Sequence, residues 1–467
     1  MGIFSNGGRK SAVLNGNGSD IEGVASHTGA QPGLKAGRVF DSFAVPEYRL
    51  FWAGSMGQMG AEHVQMVARS WLVYELTNSY SMLGLIMLAG SVPMLLLSLY
   101  GGVLADRLQK KRILQVGYAA SAVAGFGIAI AIVLDAISLE RHDGVGLLLW
   151  ASLAQGVISG LMMPARSAIV PELVGQGRLM NAIALNQMGM NINRLLAPAL
   201  AGLLIALVGI QTVYVTMTAL YVIALVLATR LSPTAPMARS RRGPLGDMVE
   251  GLRYLRGKPI LINLLLLTLI SVALSMPYMA LLPALAKDIQ IVEPEQVAWI
   301  TRIPLVGGLM SGIPDLLGKS SFRLGLLMSV SGIGALVSAL LIAAMSNSNR
   351  GRIFLWSVFA LGGFLALYAF SSSFLLALLF IAGVGLTQSA RMALSSTLVQ
   401  DYVDNEHRGR VMSVYMMEFG LASFSVYAVS LLADVVGVQW AIGGTALLLI
   451  PITLSYLAFV PSLRRLQ

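Results

Sequence analysis

Apolar runs of about 20 residues, long enough to cross a bilayer as a helix, succeed one another along most of the chain, separated by short polar or glycine-rich breaks. In the first half they predict six spans, at about Tyr48–Tyr74, Met82–Ala105, Ile113–Ile137, Leu147–Val170, Leu179–Val208 and Gln211–Leu231. Six more are predicted at about Pro259–Ala286, Phe322–Met345, Ile353–Phe370, Phe374–Val399, Val411–Val436 and Val438–Val460. The expected fold class is an all-α membrane protein, twelve transmembrane helices in two pseudo-symmetric six-helix bundles.

Between the halves, Ser232–Lys258 changes character. Pro233, Pro236 and Pro244 accompany Arg239, Arg241 and Arg242. Then Leu245, Met248, Val249, Leu252 and Leu255 recur at helical spacing opposite Asp247, Glu250 and Arg253. This predicts an amphipathic helix lying on the membrane surface. The expected organisation is a disordered cytoplasmic tail over 1–46, an N-terminal bundle over 47–231, the linker over 232–258, a C-terminal bundle over 259–460 and a short cytoplasmic tail over 461–467. Within the second bundle, 287–321 reads as a long outer loop with a candidate re-entrant segment at 303–313. The Gly-, Ser- and Asn-rich start has no apolar stretch of the kind a secretory signal needs.

Composition agrees with the pattern: 56% of residues are hydrophobic and 12% charged, against roughly 25% charged in soluble proteins. The net charge of +10 is distributed unevenly. Lys110, Lys111 and Arg112, Arg166 and Arg178, the linker arginines, Arg350 and Arg352, Arg391, Arg408 and Arg410, and Arg464 and Arg465 all fall at one side of the predicted spans. By the positive-inside rule that side is cytoplasmic, with both termini there, in a prokaryotic cell membrane. The charge is thus a topology signal, and no nucleic-acid partner is expected. The absence of cysteine excludes disulfides, thiolate metal sites and cysteine nucleophiles, and the four histidines are scattered, so no metal site is expected. Leu317-Gly318-Lys319-Ser320 is similar to the end of a phosphate-binding loop, but Gly312 stands one position too far upstream. No nucleotide or other cofactor is expected, and no enzyme activity.

The halves repeat. Gly160-Leu161, Ala165-Arg166 and Ala168 recur as Gly385-Leu386, Ala390-Arg391 and Ala393, at a constant offset of 225 residues. Lys110-Lys111-Arg112-Ile113 before the third span is mirrored by Arg350-Gly351-Arg352-Ile353 before the ninth. Matched punctuation at matched spans is the mark of parallel repeats about an axis along the membrane normal.

Several stretches resemble the major facilitator superfamily over roughly residues 40–460. Gly102, Leu104, Ala105, Asp106, Arg107, Lys110 and Lys111 fit its signature between spans two and three, with Gln109 where glycine is usual. Four further stretches resemble the branch of bacterial exporters that includes the enterobactin exporter and macrolide efflux proteins. They are Trp71–Ser79, Met163–Val174, Asn181–Asn186 and Arg408–Ser413. The resemblance implies alternating access by two rocking bundles.

The candidate chemistry lies in two places. Gly101 and Gly102 permit close helix approach, and Asp106 can sit at the positive end of a helix. By resemblance that end belongs to span eleven, near Arg410 and Val411, when the transporter is open outward, with Arg107 and Lys110 pairing with Asp106 or with lipid phosphate. Inside the spans, ionisable residues are costly and by default functional. Glu62, Gln65 and Arg69 share one face of span one, as do Gln187, Asn191, Arg194 and Pro198 of span five. Glu62 reads either as a proton- or cation-coupling carboxylate or as a static partner of Arg69. Ala197–Gly202 resembles a Gly-Pro element of proton-driven exporters. Glu418 in span eleven is either a cavity carboxylate or an interfacial residue, and Asp434 at its outer end reads as solvated. The abundant methionines read as ordinary packing. The expected function is export of a small amphiphilic compound (a drug, macrolide-like molecule or siderophore) by a monomer in the lipid bilayer, in exchange for protons. A metabolite facilitator or importer, or a non-transporting sensor or assembly factor of the same fold, remains open.

Overall fold

A computed structural model describes residues 40–233, 244–289, 313–345, 349–404, 407–464 and 466. The expected disordered tail lies almost wholly outside them, as do the first part of the linker and most of the expected outer loop, with its re-entrant segment.

The first half contains α1 (Pro46–Thr77), α2 (Tyr80–Arg107), α3 (Lys110–Val133), α4 (Val145–Val174), α5 (Leu179–Val208) and α6 (Ile210–Thr229). The linker helix is α7 (Pro244–Leu255). Then come α8 (Pro259–Ser275), α9 (Pro277–Ala284), the short α10 (Ile313–Gly318), α11 (Ser320–Ala344), α12 (Arg350–Ala369), α13 (Phe374–Tyr402), α14 (Arg408–Val436), α15 (Val438–Phe459) and the short α16 (Pro461–Arg464). Pro46 opens α1, where its missing N–H costs nothing. Ser79 caps α2 by accepting from the Met82 amide. Gly209 and Gly437, both with positive φ, make one-residue joints between α5 and α6 and between α14 and α15. The two halves thus end alike.

Among the described residues, eleven helices are long and apolar enough to cross a membrane. The more polar α1, 32 residues long, runs alongside them as the twelfth. Exposed Val116 (69%) and Val435 (82%) belong to an apolar outer girdle, which a protein in water would not present. The chain is a multi-pass membrane protein.

Three boundaries differ from the sequence reading. Helix α2 continues to Arg107 and α3 starts at Lys110, so the basic turn shrinks to Leu108 and Gln109. Helix α4 runs on through Pro164 and Pro171 to Val174, so 171–174 is not loop. The seventh span breaks where Pro277 withdraws an amide donor, and a π-helical turn, Leu285–Ile289, follows α9.

Within each half the helices pack closely, α2 with α4 and α3 with α6, then α11 with α13 and α12 with α15. The halves meet through α2 with α14 and α5 with α11. The tightest approaches lie towards the end remote from the basic turns. A Cβ on Gly84 would stand 2.6 Å from Ser430 of α14, and one on Gly202 2.5 Å from the Ser321 carbonyl of α11.

Candidate functional site

A cavity of about 400 Å³ opens between α1, α2, α4 and α5. Four polar residues of α1, Gln58, Glu62, Gln65 and Arg69, line it at intervals that keep them on one helix face. Gln58 Nε2 donates to Glu62 Oε1 at 2.9 Å, and Arg166 Nη1 of α4 donates to Gln58 Oε1 at 3.2 Å. Arg69 Nη1 reaches across to Ser152 Oγ of α4 at 3.1 Å. The static Glu62–Arg69 pair is not formed: seven residues separate them, about 10 Å along the helix axis, and each has a nearer partner. His63 also lines the cavity, its Nδ1 2.8 Å from the Met59 carbonyl one turn back.

Two features of this wall escaped the sequence reading. Arg166 counts in the sequence as a topology charge at the end of span four, yet the cavity face of α4 carries it inward. Gln58 carries no charge and sits in an already polar stretch, so nothing marked it out. The methionines are a third departure. Met59, Met66, Met87, Met94, Met162, Met163 and Met190 all line the cavity, giving it a soft, polarizable and adaptable surface.

A smaller cavity of about 50 Å³ adjoins where the halves meet. Arg194 and Pro198 of α5 line it with His63, Met66, Tyr278 and Ser331. Helix α5 runs unbroken through Pro198. Gln187 is exposed and Asn191 half-buried, and neither lines either cavity. Glu418 is buried in α14 away from both cavities, and Arg391, expected at the basic end, is fully buried in α13.

At the basic end, Gly101 packs within its own half, where a Cβ would stand 2.5 Å from the Gly160 carbonyl of α4, while Gly102 faces open space. Asp106 and Arg107 have no hydrogen-bond or ion-pair partner among the described residues, so the expected contact of Asp106 with the start of α14 is not made in this conformation. Lys110, expected to pair with Asp106 or lipid, is instead fully buried, with Glu172 of α4 at 2.6 Å. Lys111 donates to the Thr229 carbonyl at 2.9 Å and to that of Leu231, closing the C-terminal end of α6. Arg410 holds Glu250 of α7 at 2.9 Å.

The opposite end is latched. Both oxygens of Asp434 accept from the first amides of α2, Tyr80 N at 3.1 Å and Ser81 N at 3.2 Å. Asp434 is therefore not merely solvated: it caps a helix of the other half, where the macrodipole favours a negative charge. Nearby, Glu75 pairs with Lys287 at 2.9 Å and accepts from Ser320 Oγ at 3.3 Å, Trp71 Nε1 donates to that Oγ at 3.1 Å, and Tyr74 OH donates to Asp288.

This arrangement has counterparts among known proteins. Residues 39–301 match the family described as transmembrane secretion effectors, and 304–465 match the major facilitator superfamily. The staphyloferrin A transporter of Staphylococcus aureus is 24% identical over 85% of this chain and 90% of its own length. The multidrug efflux pump Tap of Mycolicibacterium fortuitum is 26% identical over 86% and 93%, and the enterobactin exporter EntS of Escherichia coli 30% identical over 52% and 57%. The crystal structure of a POT family transporter shares the fold, with a TM-score of 0.67 at 12% identity over 89% of this chain and 96% of that one. The chain belongs to the major facilitator superfamily, in the group of transmembrane secretion effectors.

Proposed function

We propose that this protein exports a small amphiphilic compound by alternating access, in exchange for protons, with its basic end on the cytoplasmic side of a bacterial cell membrane. The observation that carries the reading is the cavity, where two guanidinium groups, one carboxylate and seven thioethers face the space between helices while the halves are latched at the far end. An amphiphile enters from the basic end, spreads its apolar part over the methionines and meets Arg69, Arg166 or Glu62 with its polar part. The halves then rock: the Asp434 latch and the seams at Gly84 and Gly202 open, and Asp106 meets the start of α14. Gly101, Gly102, Asp106, Arg107, Lys110 and Arg410 form or flank that inner gate. Gln65, Arg194 and Pro198 belong to the cavity walls, and Gln187 and Asn191 lie towards the basic mouth of α5. The names of the relatives, covering siderophore transport and multidrug efflux, agree with this substrate class.

The test is proton flux in proteoliposomes challenged with staphyloferrin A, enterobactin, erythromycin and ethidium. At least one should be accumulated against its gradient when a pH gradient is imposed. Glu62→Gln, which removes a charge-assisted hydrogen bond, should lower that rate about tenfold or more. Wild-type protein that moves none of the compounds, or moves one without proton flux, would overturn the reading. Uptake into inverted vesicles separates export from import.

A further inference from the structure

The C-terminal half holds a second constellation of charge, apart from the cavity. Arg391 of α13 is 0% exposed and Glu418 of α14 is 4% exposed. They lie eleven and ten residues from the basic ends of their helices, so both sit about 15 Å deep. Arg391 Nη1 donates to Ser271 Oγ of α8 at 3.3 Å, and its Nε to Gln388 Oε1 at 3.4 Å. Its Nη2 has no partner, and neither has Glu418 Oε2. One turn nearer the basic end, Ser395 Oγ and Tyr415 OH are 2.9 Å apart. Among the described residues Arg391 is the charged side chain beside Glu418, and the residues that α8 contributes, Ser271 and Ser275, are neutral.

A guanidinium stays charged in a protein. Placed inside a membrane domain, it is costly unless a negative charge matches it. A pair built only for structure would close to bonding distance and use both free atoms. Here the two groups are near but not joined, and each keeps a buried atom unused, which a buried polar group seldom does.

We propose that Glu418 carries a coupling proton and that Arg391 is the fixed charge that lets it go, an assignment that rests on the proton-exchange reading above. In this conformation the carboxyl group holds its proton, and Arg391, held by the neutral oxygens of Ser271 and Gln388, is left without a counter-charge, which favours release. On release the O–H bond breaks, the proton passes to water at the basic end, and the carboxylate left behind accepts from Arg391 Nη2. The pair is then neutral as a whole. A proton arriving from the opposite side breaks that bond and restores the neutral carboxyl. Neither residue lines either of the two cavities described above, so the coupling to a compound held there runs through helix movement.

Infrared spectroscopy of the reconstituted protein across a pH titration tests this without any transported compound. Wild type should show the C=O stretch of a neutral carboxyl group that disappears on alkalinisation. Glu418→Gln should abolish it, Glu62→Gln should retain it, and Glu418→Asp should keep a titrating band, which separates loss of the group from loss of the fold. Arg391→Gln should leave the band but remove its response to alkali, and Arg391→Lys should restore the response. A band unchanged in Glu418→Gln, or no such band in wild type at any pH, overturns the assignment. Absence of proton-coupled transport with the infrared pattern intact would count against the exchange reading instead.

Discussion

Gln58 stands between opposite charges, donating from its amide nitrogen to Glu62 and accepting from Arg166 at its carbonyl oxygen. Replacing it with leucine deprives both groups of their partner, and an unsatisfied charged group costs about 1–3 kcal/mol or more. Gln58→Leu should therefore lower thermal stability by that order and slow transport of any compound that engages Arg166, as read by melting in detergent and uptake in vesicles. At this scale sequence and structure agree unevenly. Glu62, Gln65 and Arg69 could be placed together because charges in an apolar run are conspicuous and helical spacing assigns them a face. Arg166 and Arg391 could not, since an arginine near the predicted end of a span looks like a topology signal. Both lie inside the predicted spans, and it is the packing of α4 and α13 that turns them inward. The methionines were invisible for another reason: a thioether on a cavity wall and one in a core have the same hydropathy.

At the scale of elements, the linker carries a helix, α7, over Pro244–Leu255, and it is tied down. Arg410 of α14 holds Glu250, and a Cβ on Gly251 would stand 2.8 Å from the Arg410 carbonyl. In the last turn of α7, Tyr254 OH donates to Asp404 Oδ2 at 2.8 Å, with Lys258, just beyond the helix, 3.7 Å from the same carboxylate and His407 stacked on the Tyr254 ring. The Tyr254 hydrogen bond first, and then the Lys258 charge, hold the Asp404 carboxyl below its usual range. A depressed carboxyl stabilises the folded arrangement above the ordinary value of about 3.9 and loses that contribution as pH falls through its own lower value. The tether should thus be intact at neutral pH and loosen only in strong acid. The protection of α7 amides, taken relative to intrinsic exchange at each pH, should fall there in wild type and stay constant over this range in Asp404→Asn. The repeat read from sequence also reappears as chemistry. Lys110–Glu172 joins α3 to α4, and Arg350–Asp401 joins α12 to α13 at 2.9 Å.

For the molecule as a whole, twelve spans and a two-fold repeat were legible because bilayer thickness dictates run length and breaks must fall at the surface. Which end is closed was not legible, since alternating states share one sequence. Here the closure rests on α2 against α14 and α5 against α11, with Asp434 bonded to two amides of the other half. Removing that carboxylate forfeits a helix cap and a favourable dipole contact, together about 1–2 kcal/mol, which shifts a two-state population roughly 5–30-fold. Asp434→Ala should therefore favour the conformation open at the opposite end. Spin labels can check this at the neighbouring tips of α2 and α14, and the chain's lack of cysteine leaves no background thiol. A label distance unchanged from wild type would show that Asp434 does not hold the latch.

The methionine wall carries one more consequence. Thioethers are readily oxidised, and a sulfoxide is polar and chiral where the thioether was apolar. Peroxide reaching the cavity would convert a yielding apolar surface into one studded with strong dipoles, and the enzymes that reverse the damage would find it only while the basic end stands open. The same reactivity makes the cavity self-reporting. A bound compound should shield Met66, Met94 and Met163 from peroxide, while Met180, 78% exposed on the surface, oxidises regardless, so a peptide map of sulfoxides would record what the transporter was holding.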